Sequence, residues 1–153
     1  MRILPGCRGR ISAAELRRVA RAALEAEAVA STVEVEVVLA DAATVQELNR
    51  LYRGHPEPTD VLSFAAAEGE YFVAAPDEAP SLGEVVVCLP VAEEQAKAAG
   101  RGVEGEIAHL LVHGLLHMLS YDHEGAGDGE RMKSREDAIL GPLGYEGGYA
   151  HGH

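Results

Sequence analysis

The sequence predicts an α/β (α+β) fold in a single domain: a small mixed sheet covered by helices, with a metal site on a central histidine-bearing helix. Three observations predict it. Apolar residues recur at helical spacing in several segments separated by short extended runs. Two of those runs differ in pattern: Thr32–Leu39 alternates valine with glutamate, whereas Leu82–Leu89 is almost continuously apolar. Finally, His109–His123 packs four of the chain's seven histidines among Leu, Val and Met.

Taken in order, Met1–Leu4 is expected to form a short first strand, ended by Pro5-Gly6. Ser12 is placed as a helix N-cap with Glu15 at the capping-box position, and Ala14, Leu16, Val19, Ala20, Ala23 and Leu24 carry that helix to about Ala28. Thr32–Leu39 reads as a strand with one face wet. Asp41 caps a second helix bearing Val45, Leu48 and Leu51, which ends near Gly54. A Pro-bounded loop, His55–Pro58, leads to a short buried strand at Val61–Phe64. Ala65–Ser81 mixes Gly, Pro and acidic residues around Tyr71-Phe72-Val73 and reads as a loop, a hairpin or a flap. Leu82–Leu89 is the central strand, and Val91–Ala99 a helix closed by Gly100. The histidine helix starts near Val103 or Glu104. After a loop around Gly125–Gly127, a last helix spans roughly Gly129–Leu140. Gly144–His153 is Gly-rich and expected to fray.

A chain of 153 residues without internal repeat or long linker is one domain, large enough for a hydrophobic core. No apolar run approaches the roughly 20 residues of a membrane span, and residues 1–10 lack the apolar stretch of a secretory signal. With only Cys7 and Cys88, the simplest reading is a reduced, cytoplasmic protein, one disulfide being the alternative. The net charge of −12 argues against a protein that grips nucleic acid through a broad basic surface. The charge is uneven, however. Six arginines (Arg2, Arg8, Arg10, Arg17, Arg18, Arg21) against Glu15 give residues 1–21 a charge of +5 and leave −17 for the rest. A solvated helix face is preferred over a patch for a polyanion.

Burying imidazoles among leucines is unfavourable unless something uses them. His113 and His117 lie one helical turn apart on one face, and His123 follows after Ser120-Tyr121-Asp122, where the helix can end and the chain turn back. H-x3-H-x5-H thus brings three imidazoles around one point. Three histidines with no Cys-x-x-Cys pair match a catalytic zinc, which keeps an open position, better than a closed structural one. Imidazole also suits copper, nickel and iron. His109 lies eight residues from His117, roughly 12 Å of helix, too far to share one ion, and reads as a core or supporting residue. The H-E-x-x-H of zinc proteases is absent, because Gly114 follows His113.

Arg53 ends the second helix beside a Gly-His-Pro loop. Alone, its ordinary role is to meet the helix's terminal carbonyls; its functional role would be a bidentate phosphate clamp.

Together, L-N-R-L-Y-R-G-H-P-E-P-T-D-V-L-S-F (Leu48–Phe64), L-G-E-V-V-V-C and H-G-L-L-H-M-L-S-Y-D-H resemble the YbeY family of metal-dependent bacterial endoribonucleases. The match covers about residues 30–140, in the family's order. The resemblance implies one zinc ion bound by His113, His117 and His123, and Arg53 as the catalytic or substrate-positioning arginine. It implies single-strand-specific cleavage of RNA in the cytoplasm, in maturation of the 3′ end of small-subunit rRNA and in ribosome quality control. The partners it implies are rRNA, the small subunit, and ribosomal proteins or assembly factors. Ser120 stands where the family usually has Gly, and Glu84 where Asp is common. Asp122 either orients a ligand histidine or caps the helix–loop junction.

Two other classes compete. A metallohydrolase of peptides or amides would need Glu106 or Glu84 as its base. A noncatalytic ribosome-assembly module would use zinc only to stabilise the loop at Ser120–His123.

Overall fold

The computed structural model describes residues 2–3, 7, 9–29, 33–55, 57, 59–65, 81–119 and 128–145. Its elements are β1 (Arg2–Ile3), α1 (Ala13–Ala26), β2 (Glu34–Ala40), α2 (Ala42–Arg53), β3 (Val61–Ala65), β4 (Ser81–Cys88), α3 (Leu89–Ala99), α4 (Val103–Met118) and α5 (Asp128–Leu140), followed by a 3₁₀ turn at Gly141–Leu143.

Side chains alternate across a strand, so β2 and β4 feed two cores at once. Val37, Leu39, Val85 and Val87 point to one face, against α1, α4 and α5; Val38, Ala40, Val86 and Cys88 point to the other, against α2 and α3. The sheet order is β1-β2-β4-β3. β1, β2 and β4 run parallel, with Val37 opposite Val85, while β3 runs antiparallel on the outer edge, with Ser63 opposite Val85. Helices on both faces are what parallel strands require. The expected wet face of β2 is therefore corrected: only its first residues, around Glu34, meet water, and Val37–Ala40 are buried on both sides.

Local signals set the helix ends. Ser12 accepts a hydrogen bond from the Glu15 amide, and Asp41 from the Thr44 amide. Gly54 and Gly100 close α2 and α3 in the left-handed conformation. The capping box of α1 is only half made. The Glu15 carboxylate turns instead to Arg18 and to the Tyr145 hydroxyl. The same hydroxyl lies 3.2 Å from a Glu104 carboxylate oxygen, and this corrects the frayed tail at its first residues: Gly144 and Tyr145 are anchored. The rest of that tail, and the expected loop or flap at 66–80, lie outside the described residues.

Gly105–Leu116 of α4 is buried without a break, because α1, α3, α5, β3 and β4 all pack on this helix. A helix buried on every side belongs in the middle of a fold. Gly114 permits its closest approach to the sheet. A methyl group there would lie 2.9 Å from Val85 Cγ1 and 3.0 Å from both Ser63 Oγ and Val61 Cγ2. Cys7 and Cys88 are buried free thiols, and burial pushes both pKa values up. No described helix is long and apolar enough to cross a membrane.

Candidate active site

A groove of about 670 Å³ opens along the outer edge of β3, and its walls come from four elements and one loop. α2 supplies Arg53, β3 supplies Val61–Ser63, α3 supplies Val91 and Gln95, α4 supplies His113, Gly114 and His117, and the turn before β3 supplies Thr59 and Asp60. Three of the four residues singled out from sequence are thus brought together. The fourth, His123, lies outside the described residues, as does Asp122.

Arg53 reaches the groove because Gly54 turns the chain away immediately after it. Its guanidinium stacks over the Phe64 ring at 5.0 Å and donates from Nη2 to the Ser63 carbonyl oxygen on the strand's open edge. The bland reading, a cation serving its own helix terminus, gives way to one held against β3. Asp60 fixes the neighbouring corner: its carboxylate accepts from the Val61 amide at 2.8 Å and from Gln95 Nε2 at 3.3 Å, while its carbonyl accepts from the Cys88 amide.

On α4, His113 is buried and His117 exposed, with ring centres 6.0 Å apart. Ligand nitrogens sit about 2 Å from zinc, so ring centres of two imidazoles on one tetrahedral ion lie roughly 5 Å apart. The pair stands about 1 Å wider than that, a gap that a small rotation of the exposed His117 ring can close. Among the described residues, no three side chains that could hold a metal converge.

The buried carboxylate of Glu136, on α5, completes the picture. Its Oε2 accepts from His113 Nδ1 at 2.7 Å and its Oε1 from His109 Nε2 at 2.9 Å. Burial pushes the Glu136 pKa up, but the two imidazoles outweigh it, chiefly through their hydrogen bonds, and hold the carboxyl at about 2. An ionised carboxylate has no proton to give, so both imidazole nitrogens donate. His113 therefore carries a proton on Nδ1, and in its neutral form the lone pair lies on Nε2, an arrangement typical of metal-binding histidines. The two described imidazoles are donors of a kind that suits zinc. His109, read from its spacing as a core or supporting residue, is buried and bonded to the same carboxylate.

Sequence reasoning missed Glu136. A signal was present: it interrupts the stripe Met132, Ile139, Leu140, whose other members are all buried, and a glutamate on an apolar face needs a partner. Neither Glu106 nor Glu84, one of which the peptidase alternative needs as its base, lines the groove. Glu106 is buried two turns before His113, and burial raises its pKa. Glu84 shares its side of β4 with Val86, the face away from α4. Nor does α1 reach the groove. Two basic residues at this end of the chain are paired internally, Arg18 with Glu15 and Arg10 with Glu93, in keeping with a solvated face.

Known proteins resemble the chain over most of its length. The family model described as Endoribonuclease YbeY matches residues 9–144. A protein of that name from Pelotomaculum thermopropionicum is 45% identical over 128 residues, 84% of each chain. Another, from Roseiflexus castenholzii, is 40% identical over 145 residues, 94% of this chain and 91% of its own. The solution structure of a Thermotoga maritima protein superposes with a TM-score of 0.55 at 27% identity, covering 93% of this chain and 89% of the other.

Proposed function

The chain belongs to the YbeY family of endoribonucleases, and from that premise we propose that it cuts single-stranded RNA with one zinc ion held by His113, His117 and His123. One observation carries the reading: Arg53, a fixed cation, shares a groove with His113 and His117 although α2 and α4 are far apart in the chain.

Zinc bound there supplies a Lewis acid and a water whose pKa falls towards neutrality. The remaining work belongs to the chain. Glu136 holds the His113 ring in one tautomer and one orientation. Arg53 faces the groove with a planar, permanently charged group suited to phosphate oxygens, and neutralises charge that builds on the phosphorane-like transition state. Stacking on Phe64 keeps that group in place before substrate arrives, so little reorganisation is left for the reaction itself.

The same reading assigns the enzyme to maturation of the 3′ end of small-subunit rRNA and to ribosome quality control in the cytoplasm, with the small subunit and its proteins or assembly factors as partners. The charge supports it. A chain at −12 grips free RNA poorly but suits docking beside basic ribosomal proteins.

The test is cleavage of a labelled single-stranded RNA by wild type and Arg53→Ala, both with measured zinc content. Cutting by the wild type alone, at equal zinc, supports the assignment. Equal cutting by both would sink it, and loss of zinc from the variant would show that the role given to Arg53 is wrong.

A further inference from the structure

We propose that Tyr52 is a stacking platform for an unpaired base of the RNA whose phosphate Arg53 engages. The proposal rests on the endoribonuclease reading and extends that site from the phosphate to the base.

Among the described residues, the exposed large hydrophobic side chains are Leu51, 54% exposed, and Tyr52, 43% exposed. They are consecutive, and Arg53 follows them. A single exposed apolar side chain needs no explanation. Two together, bordering the groove's cation, are less ordinary. The Tyr52 ring meets the Phe64 ring edge to face, with centroids 5.5 Å apart and planes at 71°. The same Phe64 ring carries the Arg53 guanidinium at 5.0 Å. Phe64 itself is buried in β3, so one fixed ring positions both an exposed aromatic and a cation. Tyrosine has few rotatable bonds, and its contact with Phe64 restrains it further, so it loses little freedom when a ligand settles on it.

An aromatic surface beside a fixed cation is how proteins hold single strands: the cation follows the backbone while bases stack on the ring. Both groups touch the same Phe64 ring, so they stand within the span of one or two nucleotides. Bases in a duplex are already stacked on their neighbours and cannot use the platform. Tyr52 would therefore favour unpaired RNA without reading its sequence, since every base has a flat face.

The experiment uses short single-stranded RNAs carrying 2-aminopurine at successive positions, titrated with zinc-loaded wild type, Tyr52→Phe, Tyr52→Leu and Tyr52→Ala. In the wild type and Tyr52→Phe, fluorescence should be quenched at one position on binding. In Tyr52→Leu, which keeps apolar packing against Phe64, and in Tyr52→Ala that quench should disappear and binding weaken by about 5- to 150-fold, the contribution of one stacked base. An RNA abasic at that position should bind the wild type as weakly as it binds Tyr52→Leu. Equal weakening of Tyr52→Leu on intact and abasic RNA would mean that Tyr52 only supports the fold of this edge. A quench that survives in Tyr52→Leu and Tyr52→Ala, or unchanged affinity, would overturn the platform as well. Should Tyr52 serve a protein partner instead, RNA affinity will be unchanged and the proposal fails. Wild type that cuts RNA while these differences are missing refutes only the platform; wild type that neither binds nor cuts it refutes the endoribonuclease reading itself.

Discussion

Glu136 on α5 accepts a hydrogen bond from His113 on α4 at 2.7 Å, joining the last helix to a groove residue on the central one. The bond is buried, and the carboxylate's other oxygen is taken by His109 at 2.9 Å. Removing an ionised carboxylate from water costs several kcal/mol unless its oxygens are satisfied. Two buried imidazole donors offset that cost, and in return the imidazoles keep one tautomer.

Glu136→Gln tests this relationship. The amide is nearly isosteric but carries no charge, and its nitrogen is a donor that cannot accept from an imidazole N–H. Zinc affinity, measured by competition with a chromogenic chelator, should fall by about 10- to 100-fold. Unchanged affinity would show that Glu136 only anchors α5.

Arg53→Lys keeps the charge but loses the planar fork and much of the stacking on Phe64. The expected result is a drop in kcat on the order of 10²- to 10³-fold, similar to loss of one preorganised charge stabiliser, with zinc content unchanged. Near-normal turnover would reduce Arg53 to a general positive charge.

Gly114→Ala puts a methyl group into Val85, Ser63 and Val61. Overpacking of this kind costs about 1–3 kcal/mol. Because Ser63 Oγ also donates to the Gly114 carbonyl at 2.8 Å, a shift of α4 strains the wall of the groove. Urea denaturation should report the loss. A variant as stable as the wild type would show that α4 can move away freely.

Glu106 supplies a pH dependence. Burial raises its pKa, partly offset by His109 and Arg101. A carboxyl raised in the folded state binds its proton more readily there than when unfolded, so it weakens the fold as pH rises through the range between the two pKa values. Below the unfolded pKa the penalty is absent. Glu106→Gln should therefore raise Tm at pH 7 relative to wild type, with the gain shrinking as pH falls through the carboxylate range. A gain independent of pH would rule out ionisation as the cause.

What was legible in the sequence was mostly local. The caps at Ser12, Asp41, Gly54 and Gly100 involve groups a few residues apart, and each stands where the pattern places it. The H-x3-H spacing of His113 and His117 becomes a shared face once α4 is helical. β2 was harder, because its burial depends on β4, which meets it across a long stretch of chain. The glutamates at its start suggested a wet face that ends at Val37. Glu15 looked like a capping-box partner but found a distant hydroxyl on Tyr145. Glu136 escaped notice because both of its partners lie on another helix.

The two halves of the groove differ in how far the chain must travel to make them. Arg53 and Ser63 are 10 residues apart, whereas Ser63 and Gly114 are 51 apart. On loop-closure entropy alone the second contact costs about 1.4 kcal/mol more to form. The arginine corner is thus the cheaper one to assemble as the chain folds, and the histidine wall arrives with the docking of α4. The groove's cation can therefore be in place while its imidazoles are still unassembled.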